Sequence, residues 1–105
     1  MRDLRKGSSA LLLLHLLRER PMYGFELSES LRDSTGGLLA FKEGTLYPAL
    51  HKLEEEGLVE SFWRASPSGP QRRYYRLTAA GEAGLAERRA DWIRLTEAVN
   101  GALGI

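Results

Sequence analysis

The sequence predicts a mainly α-helical domain that carries one small β-hairpin. Apolar residues recur at three- and four-residue spacing through most of the chain, which is the period of helices with one buried face. The period changes once, after Gly57, where two short segments rich in aromatic residues and arginine suit β-strands. A length of 105 residues fits one compact domain. The absence of cysteine excludes a disulfide framework and a thiolate metal site.

A first helix is predicted over the leucine-rich segment near the start of the chain. Ser8 or Ser9 can cap it, and it runs to about Arg18, because the residue before Pro21 is disfavoured in the helical region. The helix is apolar on nearly every side, so we expect a partner subunit to complete its cover. Its apolar run of about ten residues is shorter than the ~20 that span a bilayer. Charged residues follow it in place of a cleavage site, so we expect no membrane span, no export and a cytoplasmic protein.

A second helix is predicted from near residues 22–24 to about Ser34. Its buried stripe is Tyr23, Leu27 and Leu31, at four-residue spacing, and the glycine pair that follows ends the helix.

A third helix is predicted from about Glu43, and Gly57 supplies a left-handed C-terminal cap. Pro48 is expected to fit only within the first helical turn, because proline lacks the backbone N–H that later turns need. The buried stripe of this helix consists of Leu46, Leu50 and Leu53.

Two strands are predicted over residues 58–63 and 72–77, with a turn-forming tip at 66–70 between them. Side chains alternate across a strand, so one face of the second strand should pack while the other meets solvent or DNA. The first face carries Arg73, Tyr75 and Leu77, and the second carries Arg72, Tyr74 and Arg76.

A last helix is predicted to begin at Thr78, whose hydroxyl can cap it. Leu85, Trp92 and Val99 repeat every seven residues, and Leu95 and Ala102 occupy the second seam position. Arg88 interrupts this stripe, so the helix should pack on one partner and not form a long zipper. The prediction is one compact unit: a helix-turn-helix domain over 1–78 and a dimerisation helix over 79–105.

Charge is unevenly distributed although the net charge is only +1. The segment 61–81 contains four arginines and no acidic residue, whereas Glu54, Glu55 and Glu56 form a run that we expect to be solvated and far from DNA. The arginines are Arg64, Arg72, Arg73 and Arg76. Such a patch favours an anionic partner, although charged residues also protect exposed strand edges.

Three helices, a hairpin and a final helix follow the order of a winged helix-turn-helix. Three blocks make this order specific: 21–27 reads PMYGFEL, 43–50 reads EGTLYPAL and 72–78 reads RRYYRLT. In identity, order and spacing they closely resemble the PadR family of bacterial transcriptional regulators. The resemblance extends from about Ala10 to Gly81 and, more loosely, to Trp92.

The resemblance implies a homodimer that represses genes. Because a two-fold dimer presents two equivalent recognition helices, we expect it to bind double-stranded DNA at an inverted-repeat operator. The resemblance also implies release from DNA by a small aromatic or drug-like effector, bound in a pocket near the subunit interface. Where the family often has a serine before the Glu-Gly-Thr block, this chain has Lys42. Lysine cannot accept a hydrogen bond from the helix N-terminus, but it can approach a phosphate.

Candidate DNA-binding side chains are those left exposed when the third helix turns its leucines inward, together with two arginines of the hairpin. They are Lys42, Thr45, Tyr47, Pro48, His51, Lys52, Arg72 and Arg73. Thr45 and His51 can bond to base edges or phosphate, Tyr47 and Pro48 can pack on sugars or a thymine methyl, and the cations can neutralise phosphate. Tyr23 and Gly24 are interpreted as a packed helix start and are left out.

Candidate residues for the effector pocket or the dimer interface lie on the first and last helices. They are Leu11, His15, Trp92, Leu95 and Val99. His15 is predicted to be a buried histidine, with a polar pocket wall as the alternative. Trp92 is predicted to lie in the dimer core, where it can also stack on an aromatic ligand.

Two other classes of protein were considered. Two separated histidines, no cysteine and no glycine-rich phosphate loop leave no nucleophile and base to assign, so we expect neither an enzyme nor a cofactor or metal. A winged helix that contacts only proteins stays open, since this fold need not bind nucleic acid. A salt-dependent affinity for DNA distinguishes the two functions.

Overall fold

The computed structural model describes residues 8–105, apart from the side chain of Glu43. Four helices and a three-stranded antiparallel sheet make up this part of the chain, which confirms the mainly helical fold with a small sheet. The elements are α1 (Ser9–Glu19), β1 (Met22–Tyr23), α2 (Gly24–Ser34), α3 (Glu43–Glu55), β2 (Val59–Ala65), β3 (Gln71–Leu77) and α4 (Ala79–Leu103). Among these helices, none is both long and apolar enough to cross a membrane.

The sheet has one strand that the sequence pattern did not predict. β1 pairs with β3, with Met22 opposite Tyr75 and Tyr23 opposite Tyr74, so the strand order is β1-β3-β2. Two residues are too few to display an alternating pattern. Tyr23 therefore belongs to this strand and precedes α2, whereas we had expected it in the buried stripe of that helix.

The core lies where α1, α2 and α3 meet the base of the sheet. The predicted leucines of α2 and α3 are buried, and four leucines of α1 join them. The largest fully buried side chains are Leu13, Leu14, Leu27, Leu31, Leu46, Leu50 and Val59. The three-and-four spacing of the leucines thus translates directly into one shared apolar interior.

The ends of α3 follow the prediction, but its proline does not. Lys42 precedes the helix and makes no capping side-chain hydrogen bond, and Gly57 follows it with φ +77°. Pro48 is the sixth residue of α3 and so lies in the second turn, not the first. Proline at this position removes the hydrogen bond that an N–H would donate to the Gly44 carbonyl, and its ring crowds that carbonyl.

α4 is anchored at its start and projects at its end. The Thr78 hydroxyl accepts a hydrogen bond from the Gly81 N–H at 3.0 Å and donates one to the Gly57 carbonyl at 2.6 Å. The first half of the helix packs on α1, and Leu85 is buried there. From Asp91 onward nearly every residue is exposed, so the second half leaves the body of the domain.

Candidate nucleic-acid interface

The outward face of α3 carries the predicted DNA-binding side chains. Thr45, Pro48, His51 and Lys52 are all exposed, because the buried leucines occupy the opposite face of the helix. Lys42 is exposed just before the first turn. The structure therefore brings these predicted residues together on one surface. His51 Nε2 also lies 2.7 Å from the Glu55 carboxylate, one turn further along the same face.

Tyr47 lies at the edge of this face and packs across the start of α2. A Cβ atom added at Gly24 would come within 2.3 Å of the Tyr47 hydroxyl oxygen, so only glycine leaves room for the ring. The tyrosine remains 46% exposed. The glycine that was interpreted as a simple helix start thus also determines where a candidate contact residue lies.

Arg73 lies on the face of the hairpin that adjoins α3, and it is paired. Its Nη2 donates to Glu54 Oε1 at 3.2 Å and to the Ser61 hydroxyl at 2.9 Å, and Ser61 in turn donates to Glu54 Oε2 at 2.6 Å. The expectation that Glu54 is solvated and far from the site was wrong, because the strands bring two partners to this glutamate.

Aromatic rings cover the opposite face of the hairpin. The expectation that one face of the second strand would be open to solvent or DNA was therefore wrong. β3 is the central strand, so Tyr74 is flanked by Tyr23 on one side and Phe62 on the other, at ring-centroid distances of 5.4 and 5.7 Å. Both Tyr74 and Tyr75 are therefore buried, on opposite faces of one strand. The short strand β1 supplies the cover that the alternation could not predict.

Three arginines stack on these rings. The guanidinium of Arg64 lies 4.4 Å from the Tyr74 ring centroid, that of Arg72 4.5 Å from Tyr23, and that of Arg76 4.8 Å from Phe62. Stacking holds a guanidinium in place and leaves its in-plane N–H groups available.

The four hairpin arginines fall into two pairs by their charge partners. Arg73 is bonded to Glu54, and Arg76 to Glu60 at 2.6 Å, so acidic residues outside the 61–81 segment compensate half of the basic patch. Within the part of the chain that the structure describes, no carboxylate lies within ion-pair distance of Arg64 or Arg72.

Arg64 and Arg72 also stand directly opposite each other near the tip of the hairpin. Like charges in this arrangement destabilise a strand pair. Sequence reasoning missed Arg64 as a candidate, although counting strand register back from the 66–70 tip would have placed it beside Arg72. Trp63 was missed as well, and it lies exposed opposite Arg73.

The buried phenol of Tyr75 connects the hairpin to α3 electrostatically. Burial raises the pKa of Tyr75 above its ordinary value of 10.0, the nearby Arg73 guanidinium lowers it, and Glu54 raises it. The phenol is therefore a neutral group at the base of the candidate interface.

The first and last helices form a cleft of about 220 Å³ between them. It is lined by Leu11, Arg88, Asp91, Trp92 and Leu95. Three of the five residues predicted for an effector pocket or dimer interface therefore lie together, and Trp92 is 46% exposed. Arg88, which was expected only to interrupt the apolar stripe, forms part of the wall.

His15 and Val99 lie outside that cleft. His15 is exposed, so the prediction of a buried histidine was wrong: it points away from the core beside α2, in a separate cleft with Glu19 and Asp33. Whether a histidine in a leucine-rich helix is buried depends on which face of the helix it lies on, and not on how apolar its neighbours in sequence are. Val99 lies further along α4 and is exposed.

Helix order, the protruding hairpin and the exposed third helix together define a winged helix-turn-helix protein. Comparison with known proteins gives the particular family, since residues 13–87 match the model of the transcriptional regulator PadR-like family. The chain belongs to this family, as its three sequence blocks predicted, and it is a transcriptional regulator and not an enzyme.

Individual relatives agree with this assignment. The transcriptional regulator Rv3488 of Mycobacterium tuberculosis is 39% identical over 85% of this chain and 79% of its own. A solved transcriptional regulator from Clostridium thermocellum has a TM-score of 0.86 and 31% identity, covering 95% of this chain and 97% of its own. A PadR family transcriptional regulator from Eggerthella lenta has a TM-score of 0.82 and 39% identity, covering 95% and 85%.

Proposed function

We propose that this regulator is a homodimeric, sequence-specific DNA-binding protein of the cytoplasm that acts as a repressor. In this proposal α3 enters the major groove, and the hairpin is the wing that contacts the sugar-phosphate backbone beside it. A two-fold dimer presents two equivalent recognition helices, so its operator is an inverted repeat with half-sites about one helical turn, ~34–36 Å, or a multiple of it apart.

The single observation that carries the proposal is the outward face of α3. It exposes hydrogen-bonding side chains along its length, and the cationic Lys42 and Lys52 lie just before its first turn and in its third turn, as a major-groove surface requires. Among the side chains of this face that the structure describes, the acidic Glu55 comes at the last residue of the helix, 2.7 Å from His51 Nε2. A winged helix that contacts only proteins has no need of this polarity along one helix.

The wing supports the proposal through its uncompensated arginines. Arg64 and Arg72 repel each other across the strand pair, and a phosphate between or beside them relieves that repulsion. Their stacking on Tyr74 and Tyr23 reduces the side-chain entropy that binding a phosphate costs. We therefore assign the main wing contacts to Arg64 and Arg72, and a smaller one to Arg73, which has a carboxylate partner.

Dimerisation is proposed through α4 together with α1. The projecting half of α4 exposes large apolar side chains that a 105-residue protein does not leave in water without a partner. These are Trp92, Ile93, Leu95, Val99 and Leu103. The cleft that contains Trp92 opens onto this surface, so a small planar aromatic effector bound there would lie between subunits and change the spacing of the two recognition helices.

The test is selection of bound fragments from a genomic DNA pool, followed by affinity measurements at several salt concentrations. We expect an inverted repeat and an affinity that falls steeply with salt. Arg72→Gln should flatten the salt dependence by about 0.9 in log–log slope, corresponding to one phosphate contact. Arg76→Gln is the matched control, because that arginine is already paired with Glu60. Binding without salt dependence or sequence preference would favour the protein-contact module instead.

A further inference from the structure

We infer that Glu54 is a positioning residue that holds the wing against α3 and partly withholds the Arg73 guanidinium from DNA. The inference rests on the proposed DNA binding. It adds that Glu54 favours binding to the operator over binding to other DNA. Glu54 lies on α3, whereas Ser61 and Arg73 lie on β2 and β3, so one carboxylate joins the recognition helix to both strands of the wing.

The three side chains form a closed triangle of hydrogen bonds. Each makes two of the three contacts, at 2.6, 2.9 and 3.2 Å, so no single rotamer change can release one partner without breaking two bonds. The Glu54 side chain is only 28% exposed, whereas both partners in the Arg76–Glu60 and His51–Glu55 pairs are more than half exposed. Reduced exposure strengthens the interaction beyond that of an ordinary surface ion pair.

The Glu54 carboxylate accepts a hydrogen bond from the Arg73 guanidinium, as a DNA phosphate would. A guanidinium binds carboxylate and phosphate oxygens through the same N–H groups, so the two compete for Arg73. Since phosphate contacts carry no sequence information, keeping one arginine occupied lowers affinity for all DNA equally. Fixing the wing on α3 also preserves the geometry in which wing and helix meet one operator together, which favours the specific site.

The test compares four proteins: wild type, Glu54→Gln, Arg73→Gln and the double variant. Glutamine keeps the size and shape of Glu54, removes its charge and replaces one of the two acceptor oxygens by an NH2 donor. Glu56→Gln is the matched control, because it removes the same charge from the residue that directly follows α3, at an exposed position.

Glu54→Gln should bind random-sequence DNA several-fold more tightly than Glu56→Gln does, with a log–log salt slope steeper by about 0.9. Affinity for the selected operator should rise less, so the ratio of specific to non-specific affinity falls. Both effects should vanish when Arg73→Gln is added. Equal behaviour of the two glutamine variants, or a gain that persists without Arg73, would overturn the inference.

A readout without DNA separates this inference from the proposed function. Trp63 stands opposite Arg73 in the wing and is one of two tryptophans, so in a Trp92→Phe background its fluorescence reports the wing alone. Glu54→Gln should lower its steady-state anisotropy relative to Glu56→Gln. An unchanged anisotropy would refute the positioning role. A wing that loosens without any change in DNA affinity would refute the withholding of Arg73, and a wild-type protein that binds no DNA would refute the proposed function itself.

Discussion

The position of the Tyr47 ring depends on Gly24, which has no side chain. Its ring lies where a Cβ at Gly24 would stand, 2.3 Å from the hydroxyl oxygen and 2.8 Å from the adjacent ring carbon. The Gly24 backbone and the Tyr47 ring therefore lie closer together than a residue with a Cβ atom at position 24 would permit. This contact sets the direction in which one candidate DNA-binding side chain leaves α3.

Gly24→Ala is expected to destabilise the protein by about 1–3 kcal/mol, because the ring must move out of a packed position. In a Tyr47→Ala background the same change should cost almost nothing, since the obstacle is gone. Urea unfolding of the four proteins measures this coupling as a double-mutant cycle. Equal costs in the two backgrounds would show that the ring does not constrain position 24.

Because of the Tyr75 phenol, we expect the free energy of unfolding to depend on pH in the alkaline range. Burial raises the pKa of this phenol in the folded protein, whereas an unfolded chain ionises it near 10.0. The unfolded state thus loses its proton first, so the stabilisation is complete below pH ~10 and is lost as pH rises toward the folded-state pKa. Tyr75→Phe should lose less stability between pH 9 and 11 than wild type does, as measured by urea midpoints. Parallel pH profiles would contradict this assignment.

At the scale of elements, the junction between the wing and α4 depends on close backbone contact. Thr78 bonds to the Gly57 carbonyl, and its N–H bonds to the Leu58 carbonyl at 3.1 Å. Gly81 lies against that same carbonyl, so that an added Cβ would come within 2.0 Å of the Leu58 oxygen. The start of α4 is therefore held directly on the turn that follows α3.

Gly81→Ala should destabilise the protein by about 3 kcal/mol or more, because a backbone oxygen cannot move aside as a flexible side chain can. Gly101→Ala is the matched control in the same helix: nothing lies within 4 Å of the added Cβ, and alanine is the better helix former by about 1 kcal/mol. Thermal unfolding of both variants provides the comparison. A small change in stability at position 81 would mean that the start of α4 can shift away from Leu58 without destabilising the protein.

At the scale of the whole molecule, the apolar end of α4 is the largest feature that the single chain does not explain. The chain extends 54 Å along its longest axis, and that length reflects a 25-residue helix that only partly packs on the body. A helix that exposes tryptophan, isoleucine and leucine beyond its anchored half is typical of a subunit interface.

Trp92→Glu should convert the dimer to monomers at micromolar concentration, because a carboxylate in the interface is buried without a partner. Trp63→Glu is the matched control, since it places the same charge at the other tryptophan, which is exposed on the wing. Light scattering after size-exclusion chromatography measures the mass of each. Monomeric wild type would refute the dimer. If the effector proposal holds, planar aromatic compounds should also change Trp92 emission and weaken DNA binding.

The sequence by itself determined the helices, the buried leucines of α2 and α3, the cap at Thr78, the hairpin and the family. These features are local, because a repeat of three or four residues, a capping hydroxyl or a contiguous block is readable without knowing what packs on it. The outward face of α3 followed from the same logic, since the residues left over from a leucine stripe must point away from the core.

Only the tertiary structure decided which charges and rings have partners. Glu54 and Arg73 lie 19 residues apart, and the packing of α3 on β2 together with the β2–β3 register brings them together. The two-residue β1 makes β3 a central strand and so buries Tyr74 on the face that was expected to be open. Exposure of His15 likewise depended on the placement of α1 in the core. Contacts between residues distant in sequence depend on the packing of whole elements, which hydrophobic periodicity does not encode.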